Sequence, residues 1–348
     1  MTWLTWRQFR IQAVTAAAVL AAFVILLAVT GPHLASLYAG SGITGCRGQS
    51  CGIRGDSFLG QVAASGVDPV VYVLGVAGIV FCPAVIGIFW GAPLIAREFE
   101  AGTFRLAWTQ SVTRTRWLAV KLALTGLAAI AVTEGLSLVY AWWAAPIGTA
   151  ARLAVNSTFP LGMGPFSLLA FDAHGITPIG YAAFAFTLGV TTGVLVRRTV
   201  PAMAITLAIF AAVQVAMPLS IRPHLFPPAH TTASVNSFTG QTHISGNGSF
   251  GFAVDFLPSQ PGAWILSSGA VNATGQPVSA NPPACRSAML QGSSAWPDCL
   301  ASHGIRVGVT YQPTSRYWAI QWIETAIYLA LALALGWSCF WWLGRRAA

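Results

Sequence analysis

The sequence predicts an all-α polytopic membrane protein with six transmembrane helices, and three observations carry that prediction. Of 348 residues, 55% are hydrophobic and only 8% are charged. A soluble domain carries about 25% charged residues, so a surface this poor in charge must face lipid over much of its area. Several stretches run close to about 20 residues without a charge, the length that a bilayer core of about 30 Å demands of a helix. The basic residues gather at the ends of these stretches, where topology signals belong.

Taken in order, residues 1–12 hold Trp3, Leu4, Trp6, Arg7, Phe9 and Arg10. Aromatics interleaved with arginines predict a helix lying in the headgroup plane. The first span follows over Ala13–Thr30. Its apolar run exceeds the roughly 7–15 residues of a signal-peptide core, so it reads as an anchor. Residues 31–69 read as a Gly- and Cys-containing loop. The second span covers Val70–Ile95, with kinks expected at Pro83 and Pro93. Residues 97–121 are the most charged stretch of the chain, and the third span, Trp117–Trp143, contains Glu134.

A loop with Arg152 and Asp172 leads to the fourth span, Ile176–Val196. Arg197 and Arg198 make a tight turn into the fifth span, Val200–Met217, so that residues 13–217 hold five helices. Residues 218–317 are rich in Gly, Pro, Ser and Asn and form a separate polar domain. Within it Phe250–Phe256 and Ile305–Val309 alternate as short strands do. The sixth span is Trp318–Leu343, and residues 344–348 are a tail with Arg345 and Arg346. No internal repeat is visible.

Orientation follows from the arginines. Placing the N-terminus, residues 97–121, the 197–198 turn and the C-terminus in the cytoplasm puts 11 of the 18 basic residues there, in short segments. The remaining seven, Arg47, Arg54, Arg152, Arg222, Arg286, Arg306 and Arg316, are spread over longer outer loops, which matches the positive-inside rule. Residues 218–317 then form a large extracellular domain between helices 5 and 6. Cys46, Cys51, Cys285 and Cys299 also fall outside, where two disulfides are expected. Three connectivities are possible; the local pairs Cys46–Cys51 and Cys285–Cys299 are the simplest, with four free thiols as the bland alternative.

Composition also excludes chemistries. The net charge of +9 raises nucleic acid as a partner, but the basic residues flank apolar spans and form no patch with exposed aromatics. Topology and anionic lipid headgroups account for them. Lys121 is the only lysine, preceded by Val120 and followed by Leu122. A P-loop needs Gly-x-x-x-x-Gly-Lys-Ser/Thr, so the chain has no such ATPase site, no catalytic residue is assigned, and any ATP-driven motor must be another polypeptide. The histidines fit no compact metal motif, and neither metal nor cofactor is expected on this chain.

Glu134 is the unusual intramembrane residue, since a mid-bilayer carboxylate costs roughly 2.5–3.5 kcal/mol on insertion scales. It reads either as a transport-path or proton-sensitive site, or as a hydrogen-bonded group held by Gln214 or Gln321. Glu324 reads as interfacial. Gly189-x-x-x-Gly193 permits close helix approach, a weak signal in so Gly-rich a chain.

The connection between spans two and three is the most informative segment. Phe104 and Trp108 lie one helical turn apart with Arg105 beside them, two aromatic knobs suited to a groove on a cytoplasmic partner; a solvated basic loop is the bland reading. Glu98, the pair Gly102-Thr103, the turn Ser111-Val112-Thr113-Arg114 and Lys121 resemble the signature of ATP-binding-cassette (ABC) type 2 permeases, especially the small actinobacterial ones. Gln110-Ser111-Val112 departs from the usual Pro-Val at the turn.

The resemblance implies a coupling helix around Thr103–Thr109, docked on a separate ATPase subunit that holds ATP and Mg. Force transfer would run through Arg97, Glu98, Glu100, Gly102, Thr103, Phe104, Arg105, Trp108, Arg114 and Arg116. It further implies that residues 1–12 are the connecting helix, that the 197–199 turn is a smaller contact, and that the large outer domain is a lid. The expected protein is a multi-pass permease of a bacterial plasma membrane, paired with a second copy or a paralogue. It would export a hydrophobic or amphipathic compound such as an antibiotic, peptide or lipid-like molecule. A proton-coupled secondary transporter using Glu134 and an extracellular-sensing subunit are the alternatives.

Overall fold

The computed structural model describes residues 2–46, 50–102, 113–154, 164–238, 242–244, 252–254, 262–290 and 295–346. Six helical segments in it are long and apolar enough to cross a membrane: Arg10–Gly45, Asp68–Glu100, Thr115–Leu153, Thr177–Val196, Thr199–His224 and Thr314–Arg345. The all-α, six-span prediction therefore holds, with a small strand-bearing region between the fifth and sixth spans.

The first helix, α1 (Thr2–Gly40), runs through Pro32, well past the Thr30 boundary read from the sequence. A second helix, α2 (Ser50–Ala64), follows. Residues 31–69 are thus largely helical rather than a loop. Gly52, Gly55, Phe58, Leu59 and Val62 are buried along one face of α2, and this three-to-four spacing is the helical signal that the glycines obscure. Gly55 allows α2 to approach α5 closely: a Cβ there would lie 3.0 Å from the Ala150 carbonyl oxygen, a tight contact.

The second span is built from α3 (Asp68–Ile86), a wide five-residue turn at Gly87–Gly91, and α4 (Ala92–Glu100). The departure from α geometry falls between the two prolines expected to kink the span. Pro93 has no N–H to offer the carbonyl of Phe89, and the Gln12 side chain of α1 supplies a donor to that oxygen at 3.2 Å. The third span is α5 (Arg114–Leu153). A short α6 (Leu168–Ala173) precedes α7 (Thr177–Val196), the fourth span, and α8 (Thr199–Ala216) begins the fifth.

Most of α7 is buried, on both its aromatic and its small-residue faces, so it is the central post of the bundle. Its Gly189 and Gly193 meet Gly87, Gly91 and Ala92 of the second span. A Cβ on Gly189 would stand 2.2 Å from the Gly87 oxygen, and one on Gly91 2.5 Å from the Phe186 oxygen. Two Gly-x-x-x-Gly stripes therefore face one another, which is how helices gain packing contact in lipid, where apolar burial gives no preference.

Between the fifth and sixth spans lie β1 (Ala229–Ser234), β2 (Thr242–Ile244), β3 (Phe252–Val254), β4 (Trp264–Val271), α9 (Arg286–Leu290), α10 (Ala295–Ser302) and β5 (Arg306–Gln312). β5 is central in an antiparallel sheet ordered β1-β5-β4, and β2 pairs with β3. Val235, Trp296, Leu300, Ile305, Val307 and Val309 form a core of its own. The sixth span is α11 (Tyr317–Arg346). Trp318, Trp322, Trp337 and Trp341 are exposed along it. Trp318 and Trp337 are 19 residues apart, about 28 Å of helix at 1.5 Å per residue. Tryptophans spaced by one hydrocarbon thickness match the two interfacial belts of a lipid-facing span.

Candidate functional site

The base of the charged 97–121 segment is assembled from both spans that flank it. α4 buries Ala92, Pro93, Ile95 and Ala96 and leaves Arg97 and Glu100 exposed. The helix stops at Gly102, whose φ of +68° is the left-handed conformation that glycine adopts without steric cost. On the other side, the Thr113 side chain accepts a hydrogen bond from the Arg116 amide at 3.4 Å and so caps the start of α5. Arg116 itself is exposed. Trp117, Leu118 and Lys121 turn inward and are buried.

Lys121 donates to the Glu98 carboxylate, and its ammonium lies 4.7 Å from the Trp117 ring centre. The single lysine thus bridges the end of the second span and the start of the third. Glu100 makes a second fastening. Its two carboxylate oxygens accept from the Thr199 amide at 2.9 Å and the Thr199 hydroxyl at 2.6 Å. The negative charge sits at the first turn of α8, where unpaired amides favour it. The turn leading there has Arg197 at a φ of 57°, with its guanidinium 5.5 Å from the Phe99 ring centre. The second span is thereby tied to the third and to the turn between the fourth and fifth.

Of the predicted coupling residues, Arg97, Glu98, Glu100, Gly102 and Arg116 lie in or beside this base. Thr103, Phe104, Arg105 and Trp108 lie outside the described residues, as does the side chain of Arg114.

A second polar cluster lies at the opposite end of the bundle, next to the strand-bearing region. Arg222, Asp172, Glu324 and Tyr181 are each no more than 3% exposed. Arg222 donates from Nε and Nη2 to Glu324, both at 2.8 Å, and from Nη2 to Asp172. Its guanidinium also lies 4.1 Å from the Phe171 ring centre. The sequence reading placed Arg222 in an outer loop and Glu324 at an interface; both are core residues. The fifth span continues through a wide turn at Met217–Ile221 into a tight turn at Arg222–His224, which carries Arg222 one turn farther than Met217, where the apolar run ends. An arginine, an aspartate and a glutamate at the edges of three apolar segments were the available signal.

Beside this cluster Gln321 joins the sixth span to the start of α7. Its Oε1 accepts from the amides of Ile176 and Thr177 at 3.0 and 3.2 Å, and its Nε2 donates to the carbonyls of Phe171 and His174 at 3.2 and 3.0 Å. Gln214 donates to Asp172 at 3.3 Å and accepts from Tyr328 at 3.3 Å. Neither glutamine holds Glu134, whose buried Oε2 has no hydrogen-bond partner among the described residues.

Cys46–Cys51 and Cys285–Cys299 are disulfides, with Cα separations of 5.2 and 5.7 Å; Cys82 and Cys339 are free. His303 lies near the second bridge, where the bond between the cysteines already occupies both sulfurs.

The family model described as ABC-2 membrane transporter related matches residues 17–222. That range includes the whole fastened base and ends before the strand-bearing region. No curated protein and no solved structure matches the chain.

Proposed function

Since this chain belongs to the ABC-2 membrane transporter related family, we propose that it is the membrane-spanning permease subunit of an ATP-driven exporter of hydrophobic or amphipathic compounds. It sits in a bacterial plasma membrane with both termini and the 97–121 segment in the cytoplasm. A separate ATPase subunit binds ATP and Mg and docks on residues 103–112, with Phe104 and Trp108 as its anchors. A second permease, identical or a paralogue, completes the transporter.

The observation that carries this reading is the fastened base. A push delivered to residues 103–112 enters α4 and α5 together, because Lys121 and Glu98 bind these helices to each other. Glu100 passes it to α8 through Thr199. The close glycine contacts carry it on to α7. Packed interfaces of this kind shift between discrete arrangements rather than deforming continuously, which suits alternate opening of a central path.

Sidedness tests the reading. Single cysteines placed at Phe104 or Trp108, with the two native free thiols replaced by serine, should react with an impermeant maleimide in inside-out vesicles. They should be protected in right-side-out vesicles. The reverse pattern removes any contact with a cytoplasmic ATPase.

One observation favours a second reading. Glu134, inside the third span, has a carboxylate oxygen with no partner among the described residues, as a proton-coupled secondary transporter would use. In that case efflux would follow an imposed proton gradient without any ATPase and would vanish in Glu134→Gln.

A further inference from the structure

The Arg222 cluster holds an imbalance of charge and of hydrogens. One guanidinium faces two carboxylates, and all three groups are buried. Glu324 receives two parallel bonds from Arg222, at 2.8 Å each, the fork geometry suited to an ionised carboxylate. The Tyr181 oxygen stands 2.6 Å from Glu324 Oε1 and 3.0 Å from Asp172 Oδ1. A phenol has one hydrogen to donate. Tyr181 gives it across the shorter contact to Glu324, so the contact with Asp172 is a hydrogen bond only where the aspartate donates. Asp172 Oδ2 meets the Gln214 amide at 3.3 Å, a partner whose two ends can serve either form of the carboxyl.

We propose that Asp172 is a buried proton-binding site, and that its proton holds α6, α7, α8 and α11 together at the strand-bearing end of the bundle. With the proton in place the cluster is neutral and every contact around Tyr181 is served. Without it, two carboxylates repel across one hydroxyl in surroundings too apolar to screen them.

Among the described residues, the charged and titratable groups facing Asp172 are Tyr181 on α7, Arg222 at the end of the fifth span, and Tyr317, Glu324 and Tyr328 on α11. His174 follows α6 and rests against Tyr140 of α5; burial lowers its affinity for a proton. Burial pushes the Asp172 carboxyl up, Arg222 draws it back, and Glu324 raises it again. The group is therefore raised, and the stability it confers is present at low pH and lost as pH rises through its folded value.

The strand-bearing region joins the bundle at the same place. Gln312 donates to the Phe226 carbonyl at 2.8 Å and Arg316 to Gln312 at 2.8 Å, so its entry and exit segments are bound to each other, and Phe226 packs in one apolar cluster with Phe171, the neighbour of Asp172. Loss of the Asp172 proton loosens the seat of that region, independently of what the protein transports.

Infrared spectroscopy of the full chain in detergent at neutral pH, carrying Glu134→Gln to remove the other buried carboxyl with an unserved oxygen, tests the assignment. That protein should show the carbonyl band of a protonated carboxyl, and adding Asp172→Asn should abolish it. The unfolding midpoint of the wild type should fall as pH is raised, and that of Asp172→Asn should stay level. Should Asp172→Asn fail to fold, carboxyl-13C aspartate labelling of Asp68→Asn protein should shift the band. A band that survives in Asp172→Asn, or one that shifts only with labelled glutamate, overturns the proposal.

Discussion

Lys121, the only lysine in the chain, is buried at the start of the third span with its ammonium on the Glu98 carboxylate at the end of the second. Removing one member of a buried pair takes away the charge that offsets the other, at a cost of up to about 3–5 kcal/mol. Lys121→Met should therefore lower the unfolding midpoint in detergent markedly. Lys121→Met with Glu98→Gln should recover part of the loss, because the carboxylate no longer faces that position without the ammonium. A double variant no better than the single would show that the two residues do not interact.

The glycine stripes make a second, independent prediction. Gly189→Ala places a methyl group 2.2 Å from the Gly87 oxygen, and backbone cannot yield cheaply. Overpacking of this kind costs about 1–3 kcal/mol. Gly336→Ala, in the sixth span where nothing lies within 4 Å, should be neutral. Thermal unfolding of the pair, compared with wild type, separates a packing requirement from a general intolerance of larger residues.

Gln321 serves four backbone groups with one side chain. Gln321→Leu keeps the volume and leaves the amides of Ile176 and Thr177 and two carbonyls without this partner. Each buried polar group left unsatisfied costs about 1–3 kcal/mol. The variant should lose more stability than Gln214→Leu, whose side chain makes two hydrogen bonds among the described residues. Equal losses would count against the role given to Gln321.

The cysteines can be counted directly. Denatured without reductant, the protein should take up two thiol labels, on Cys82 and Cys339. After reduction it should take up six. Opening Cys285–Cys299, which closes a loop of 14 residues, should weaken the strand-bearing region by about 3 kcal/mol on the loop-entropy scale, read as faster proteolysis within residues 218–317.

Much of this architecture was legible in the sequence because bilayer length is a strong constraint. Six apolar runs, the tight Arg197–Arg198 turn, and Glu98 and Lys121 at the ends of the second and third spans lie where composition and spacing put them. What escaped was set by tertiary structure. α2 was hidden because its buried face is partly glycine, which carries no hydropathy signal. Arg222 and Glu324 read as surface residues because a charge at the end of an apolar run is ordinarily interfacial. Their pairing with each other, completed by Asp172 and Tyr181 from α6 and α7, makes their burial tolerable. The glycine stripes were half visible: Gly189-x-x-x-Gly193 stood out, but its partner at Gly87 and Gly91 lay unremarked between two prolines.

The central claim is that residues 97–121 receive the stroke of a separate ATPase. The most direct measurement is purification of the tagged full chain from its native membranes, followed by ATP hydrolysis and mass spectrometry of the eluate. A Walker-containing subunit should accompany the wild type together with ATPase activity, and both should be lost in Phe104→Ala/Trp108→Ala while the permease still folds. Undiminished recovery of that subunit with the double variant would contradict the account.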